Sequence, residues 1–177
     1  NYYRSRLKPQ TKIMAMVKAT SYGSGSFEVA NILQFHHVDY LAVAYSDEGV
    51  DLRKTGITLP IMVMNPEVMN FEMMMKYRLE PEIYNFRQLN QLSEVLKKHV
   101  GEPFKIHLKL DTGMHRLGFE EREINELVVR LNNNKHLHIQ SIFSHLAGSD
   151  EAEHDGFTKL QVDRFKKMSD DIMKNFN

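Results

Sequence analysis

At 177 residues, with 42% hydrophobic and 26% charged residues, the chain has the size and composition of one globular domain. Lys plus Arg and Asp plus Glu number 23 each, so no excess charge favours nucleic acid or an anionic membrane as a partner. The absence of cysteine excludes disulfides, thiolate metal sites and a cysteine nucleophile. No apolar run has the length of a membrane span and residues 1–4 do not resemble a secretory signal, which predicts a cytoplasmic protein.

Six strands are predicted along the chain from short apolar runs. In chain order they are Ile13–Val17, Val38–Ala44, Ile61–Met64, Leu79–Tyr84, Phe104–Leu110 and His138–Ser144. Each run is followed by a helical pattern, and no hairpin turn separates any two of them. Six strand–helix units in sequence predict an α/β fold with a parallel sheet.

Several of the helices carry boundary or packing signals. Ser46 is predicted to cap the second helix, Asn65 and Pro66 to open the third, and Asn85 to cap the fourth. The sixth helix is predicted to bury a stripe in which Arg164 accompanies five apolar side chains: Phe157, Leu160, Phe165, Met168 and Ile172. Spacings of three and four place this stripe on one helix face.

A parallel sheet of this kind is either doubly wound or a barrel. The first strand–helix turn lacks the GxGxxG and Walker patterns. Lys18, Arg116 and His145 follow the C-terminal ends of predicted strands, where barrel active sites are built. Strand 104–110 has one apolar and one polar face, which fits a barrel interior or an edge strand better than a doubly wound sheet. A complete barrel needs ~250 residues, so we predict that residues 1–177 form an incomplete TIM (β/α)8 barrel of six units.

One lysine stands out at the end of the first predicted strand. The apolar run 13–17 ends in Lys18, and a Tyr-Gly-Ser-Gly turn follows. An ammonium group at the end of a buried strand is unfavourable, because burial disfavours the charged form. That position is reasonable if the amine is covalently engaged, and a Schiff base with an aldehyde cofactor is the usual engagement.

Four segments, in the right order, resemble the alanine racemases. Residues 16–25, MVKATSYGSG, resemble the family's cofactor-lysine motif V-K-A-N-A-Y-G-H-G. Residues 109–118, KLDTGMHRLG, resemble its K-x-D-T-G-M-x-R-x-G motif, and residues 144–151, SHLAGSDE, its T-H-F-A-x-A-D motif. Residues 41–56 resemble its second unit. The detail is similar to the bacteroidete form, in which the racemase domain follows a ligase that adds D-alanyl-D-alanine to a muramoyl tripeptide.

The resemblance implies pyridoxal 5'-phosphate as the cofactor and assigns a role to each matching residue. Lys18 would hold the cofactor and then act as one acid/base, and Tyr22 would contact the cofactor phosphate through its hydroxyl. Arg116 would hydrogen-bond the phenolic oxygen of the cofactor and steady the substrate carboxylate. His145 would lie beside the pyridine ring and bond the second catalytic group. Lys109 would be carbamylated and brace the arginine, because two unmodified positive charges would repel each other.

The implied activity is two-base racemisation between L-alanine and D-alanine, which supplies D-alanine for peptidoglycan. In the family the second base is a tyrosine from a C-terminal β-domain that reaches across a homodimer interface. That tyrosine is absent from these 177 residues, so the chain is expected to be an inactive fragment of a longer enzyme. Alternatives are a pyridoxal-phosphate homeostasis protein of the same barrel family, a related decarboxylase, or a non-catalytic association domain. No metal site is expected, because the nine histidines show no helical pairing with carboxylates.

Overall fold

A computed structural model describes residues 2–98 and 101–176 of the chain. It contains two compact units, Asn1–Pro81 and Glu82–Asn177, and strand β4 crosses from the first to the second. All six predicted strands are confirmed, with ends that differ by a few residues. They are β1 Met14–Met16, β2 Tyr40–Val43, β3 Ile61–Val63, β4 Leu79–Ile83, β5 Phe104–Lys109 and β6 Leu137–Phe143.

The first unit is a parallel sheet with helices after its strands. Strand β1 pairs with β2, β2 with β3, and β3 with the first half of β4, all in parallel. Strands β2 and β3 are buried along their whole length, as apolar runs with no alternation should be. The helices of this unit are α1 Tyr2–Ser5, α2 Lys18–Tyr22, α3 Ser26–Phe35, α4 Ser46–Lys54 and α5 Phe71–Lys76.

Two of the predicted helix starts in this unit are wrong. The N-cap of α4 is Tyr45, and Ser46 is already helical, because the Glu48 carboxylate accepts the Tyr45 N–H. Asn65 and Pro66 lie in a loop and open no helix. Glu67 is extended, so the helical conformation begins only at Val68, as a 3-10 turn, and α5 follows that turn.

The second unit continues the same pattern. The last residues of β4 pair in parallel with β5, and β5 pairs in parallel with β6. The helices are α6 Phe86–Leu96, α7 Ile124–Asn132 and α8 Asp155–Asn175. Asn85 caps α6 as predicted, since its side chain accepts the Gln88 N–H at 2.8 Å. Because β5 has a partner on each side, the edge-strand explanation for its polar face is wrong.

In its first turns, helix α8 buries a different face from the one that the sequence predicts. Met168 and Ile172 are buried as expected, but Phe157 and Leu160 are 38% and 44% exposed. Gln161 is fully buried instead, because its Nε2 donates two hydrogen bonds and its Oε1 accepts one. None of the helices in residues 2–98 and 101–176 combines the length and apolar character needed to span a bilayer.

Candidate active site

Lys18 begins a turn with an unusual backbone conformation. Segment α2, Lys18–Tyr22, is left-handed, with φ between 50° and 57° at its last four residues. None of these four is a glycine, and the left-handed region costs an L-residue about 1–2 kcal/mol. Such strain concentrates at functional sites, where the surrounding structure must hold it in place. We call residues 18–22 the lysine turn.

The Glu48 carboxylate ties the lysine turn to the start of α4. Its Oε1 accepts the Ala19 N–H at 2.7 Å, and its Oε2 accepts the Ala44 and Tyr45 N–H groups at 2.7 and 3.1 Å. One side chain therefore fixes the residue next to Lys18 and the loop after β2. In the sequence, Glu48 is recognisable only as an acidic residue near a helix start, so this bracing role was missed.

The side chains of the lysine turn are more accessible than the sequence suggests. Strand β1 is only partly buried, with Met14 42% exposed, and Lys18 is half-buried. Within the described part of the chain, Lys18 Nζ makes no hydrogen bond or ion pair. Tyr22 is 71% exposed. The premise of a deeply buried amine is therefore wrong, and the turn presents an unpaired amine and an accessible phenol.

Arg116 lies in a loop after β5, and hydrogen bonds within this loop fix its backbone. The Asp111 carboxylate accepts the N–H groups of Gly113 and His115 at 2.9 and 3.1 Å. Gly118 has φ 133°, and a Cβ there would lie 2.4 Å from the Asp111 nitrogen. The loop thus needs its aspartate and this glycine for geometric reasons. It carries Arg116 as an exposed guanidinium on a fixed backbone.

A hydrogen-bond chain through buried Gln161 connects this loop to the segment that carries His145. Gln161 Nε2 donates to the His145 carbonyl at 3.0 Å and to Thr112 Oγ1 at 3.3 Å. Thr112 Oγ1 lies 2.8 Å from Ser144 Oγ, which donates to the Leu110 carbonyl at 2.8 Å. Gln161 was missed, although it lies seven residues before buried Met168, a spacing that places the two side chains on one helix face.

Lys109 lies in a buried ion pair with a residue that the sequence analysis did not single out. Its Nζ is 3.2 Å from Glu82 Oε1, and the two side chains are 5% and 0% exposed. The contact is an ion pair without the directed geometry of a hydrogen bond. Burial raises the pKa of Glu82 to about 7, and the attraction of Lys109 and Arg116 opposes that rise. In the sequence, Glu82 could have been recognised as an acidic residue within the predicted buried strand 79–84.

His145 is exposed at the end of β6, yet its electrostatic surroundings favour the neutral ring. Partial desolvation lowers its pKa, and the positive charges of Arg116 and Lys109 lower that pKa further. A neutral imidazole can accept as well as donate a hydrogen bond. The second unit therefore brings Lys109, Arg116 and His145 within electrostatic range of one another, while Lys18 and Tyr22 share one turn of the first unit.

Comparison with known proteins gives a consistent result. All 177 residues match the family model described as "Alanine racemase, N-terminal domain". The alanine racemase of Clostridium tetani is 38% identical over 157 residues, which cover 87% of this chain and 40% of that protein. The alanine racemase of Methanococcus maripaludis is 33% identical over 172 residues, covering 94% of this chain and 45% of that protein.

Solved structures agree with the sequence matches. The alanine racemase of Clostridium difficile 630 superposes with a TM-score of 0.88 at 34% identity, covering 97% of this chain and 45% of that chain. A second structure of that enzyme, described as a complex with cycloserine, gives the same TM-score. The chain thus has the α/β barrel fold of these proteins, with six parallel strands, and spans less than half of their length.

Proposed function

Because this chain belongs to the alanine racemase family, we propose that Lys18 binds pyridoxal 5'-phosphate and that the chain is part of an enzyme that interconverts L-alanine and D-alanine. The observation that carries the proposal is the state of the Lys18 amine. It is half-buried, unpaired within the described residues, and held at the start of a strained turn. An amine that must condense with an aldehyde has to be accessible and free of a carboxylate that would keep it protonated.

The residues present fit this cofactor. Tyr22 offers an exposed hydroxyl in the turn that starts with Lys18, suited to a phosphate oxygen. Arg116 offers a planar, permanently charged donor for the cofactor's phenolic oxygen and a substrate carboxylate. His145, with its lowered pKa, offers a neutral ring that can lie against an aromatic cofactor without adding charge. When bound, the cofactor withdraws electrons from the α-carbon of the substrate and makes its α-proton acidic.

Lys18 then has a second task in the proposed reaction. In one direction its amine accepts the α-proton from one face of the substrate while a second group delivers a proton to the opposite face, and in the reverse direction the amine delivers the proton to its own face. Glu48 fixes the Ala19 N–H, so the backbone from which the lysine side chain extends stays in place. The Clostridium difficile alanine racemase has been solved in complex with cycloserine, which supports a small-molecule ligand for this site.

The test uses the 177-residue chain with added pyridoxal 5'-phosphate, borohydride reduction and peptide mapping. We expect the label on Lys18, loss of that label in Lys18→Arg, and unchanged labelling in the matched control Lys12→Arg, which alters an exposed lysine upstream. Labelling spread over surface lysines, with Lys18 not enriched, would refute the proposal.

Racemisation has a separate test. A two-base reaction needs a group on the other face of the substrate, and this chain covers only 40–45% of its relatives in Clostridium tetani and Methanococcus maripaludis. We therefore infer that these residues alone do not support turnover, and substantial racemisation by the purified chain would contradict this. Fusion to a ligase and a homodimer stay predictions of the resemblance, and a cytoplasmic location stays a prediction from the sequence.

A further inference from the structure

The second unit holds its most buried charges in one place, between β4 and β5. Glu82 and Lys109 meet at 3.2 Å with almost no exposure of either side chain. We propose that ionised Glu82 is the counter-charge of Lys109, and that Lys109 therefore remains an unmodified ammonium group and carries no carbamate. Glu82 is in this view a positioning residue for the charged cluster, a role that gains its catalytic meaning from the function proposed above.

Strand register brings the two side chains together. Glu82 of β4 is paired with His107 of β5, and Lys109 is two residues further along β5, so it extends from the same face as His107. His107 is engaged elsewhere, with its Nδ1 2.7 Å from Ser141 Oγ. The carboxylate thus faces the lysine, whose Nζ also lies 5.5 Å from the centre of the Phe143 ring. Both contacts favour a positively charged amine.

The chemistry of carbamate formation conflicts with this arrangement. A neutral lysine amine attacks carbon dioxide, a nitrogen–carbon bond forms, one proton is released, and the side chain becomes an anion. A carboxylate at 3.2 Å in a buried site stabilises the ammonium form, which has no lone pair for this attack. The product would also place a second anion beside Glu82 in a site from which water is excluded. The ion pair and the carbamate are therefore alternatives.

The surrounding charges point the same way. Arg116 stabilises ionised Glu82 by its positive charge, and Arg116 and Lys109 both disfavour a protonated His145. Glu82 thus already provides the negative charge that a carbamate on Lys109 would otherwise provide near the arginine. No modification of the lysine is needed to balance the cluster.

Carbon NMR with isotopically labelled bicarbonate at mildly alkaline pH tests the proposal on the 177-residue chain. We expect no lysine carbamate signal in the wild type. Glu82→Gln, which removes the charge and keeps the shape, should gain a signal approaching one carbamate per chain. The double variant Glu82→Gln/Lys109→Arg should lose it, which assigns the signal to Lys109 and not to the N-terminal amine or Lys18.

Glu80→Gln is the matched control, because Glu80 lies on the same strand and accepts a hydrogen bond from Tyr40, which a glutamine oxygen also accepts. It should behave as the wild type. A wild-type carbamate signal that Lys109→Arg removes would overturn the proposal, whether or not any Glu82 variant folds. A folded Glu82→Gln chain without the signal would overturn the role of Glu82. Neither measurement involves pyridoxal phosphate, so failure to label Lys18 would refute the proposed function and leave this result intact.

Discussion

The two lysines with assigned roles are held in opposite ways. Lys18 is half-buried and unpaired within the described residues, and its position is set by backbone: four left-handed residues and a carboxylate that binds N–H groups. Lys109 is buried, and its position and charge are set by a side-chain carboxylate 3.2 Å away. In the first unit an acidic residue fixes the chain beside the amine. In the second unit an acidic residue pairs with the amine itself.

This difference separates reactive from inert amines. An aldehyde and carbon dioxide each contain an electrophilic carbon atom, and both react only with a neutral amine. Glu48 accepts backbone N–H groups and not the Lys18 amine, whereas Glu82 pairs with the amine of Lys109 itself. Two chemically identical side chains can therefore meet the same type of reagent with different outcomes, and the placement of one carboxylate decides which one reacts.

The largest effect is expected from removing one charge of the buried pair. Lys109→Met leaves Glu82 buried without a partner, and breaking a buried pair in this way costs about 3–5 kcal/mol of unfolding free energy. Replacing both residues, as Glu82→Leu/Lys109→Met, should restore most of that loss, because no uncompensated charge remains. Urea unfolding of the wild type and the two variants measures these differences. Equal stability of the single variant and the wild type would contradict the importance of the pair.

The pH dependence of this loss sharpens the test. The pKa of Glu82 is raised from 4.5 to about 7 in the folded chain, so folded Glu82 binds a proton more readily than unfolded Glu82. Its contribution to stability therefore falls as pH rises from about 4.5 to about 7. Without Lys109 the pKa rises further, because the main opposing attraction is lost. The cost of Lys109→Met should consequently be small in mild acid and should grow as the pH rises past neutrality.

A second pair of variants compares the backbones of the two regions. Gly118→Ala puts a Cβ 2.4 Å from the Asp111 nitrogen at φ 133°, so the loop that carries Arg116 must move. Gly23→Ala, directly after the lysine turn, has φ 92° but no atom within 4 Å of the new Cβ. We expect a loss of about 3 kcal/mol for Gly118→Ala and about 1–2 kcal/mol for Gly23→Ala in urea unfolding. Equal losses would show that left-handed strain alone, without the close approach, explains both glycines.

The sequence was sufficient for the strands and for their order. Each strand is a short apolar run with a helical pattern behind it, and this alternation has few folded solutions other than a parallel sheet. The alternation of strand 104–110 also identified a polar interior, because β5 carries His107 and Lys109 on a buried face. Local chemistry, read one element at a time, was enough for these features.

The features that were missed depend on partners far along the chain. Glu82 became significant only when the β4–β5 register placed it beside Lys109, and Gln161 only when α8 placed it against Thr112. Residues 19–22 are left-handed although none of them is a glycine, so their residue types do not predict this conformation. The stripe predicted for α8 failed at Phe157 and Leu160, because hydrophobicity alone ranked them above a glutamine whose hydrogen bonds are all formed within the fold.

The smallest effect is expected at Glu48, where one carboxylate serves three N–H groups. Glu48→Gln keeps one acceptor oxygen and turns an NH2 group toward backbone donors, so the N–H of Ala19 or those of Ala44 and Tyr45 lose their partner. Losing such bonds costs about 1–2 kcal/mol. Hydrogen exchange at the Ala19 amide should speed up, and the rate of pyridoxal-phosphate labelling at Lys18 should fall. The control Asp47→Asn keeps the Oδ1 atom that accepts the Glu48 N–H, so it should change neither rate. The Ala19 amide hydrogen of Glu48→Gln could instead exchange as slowly as that of the wild type. The lysine turn would then keep its shape without the carboxylate, and the contrast between a braced backbone and a paired amine would no longer hold.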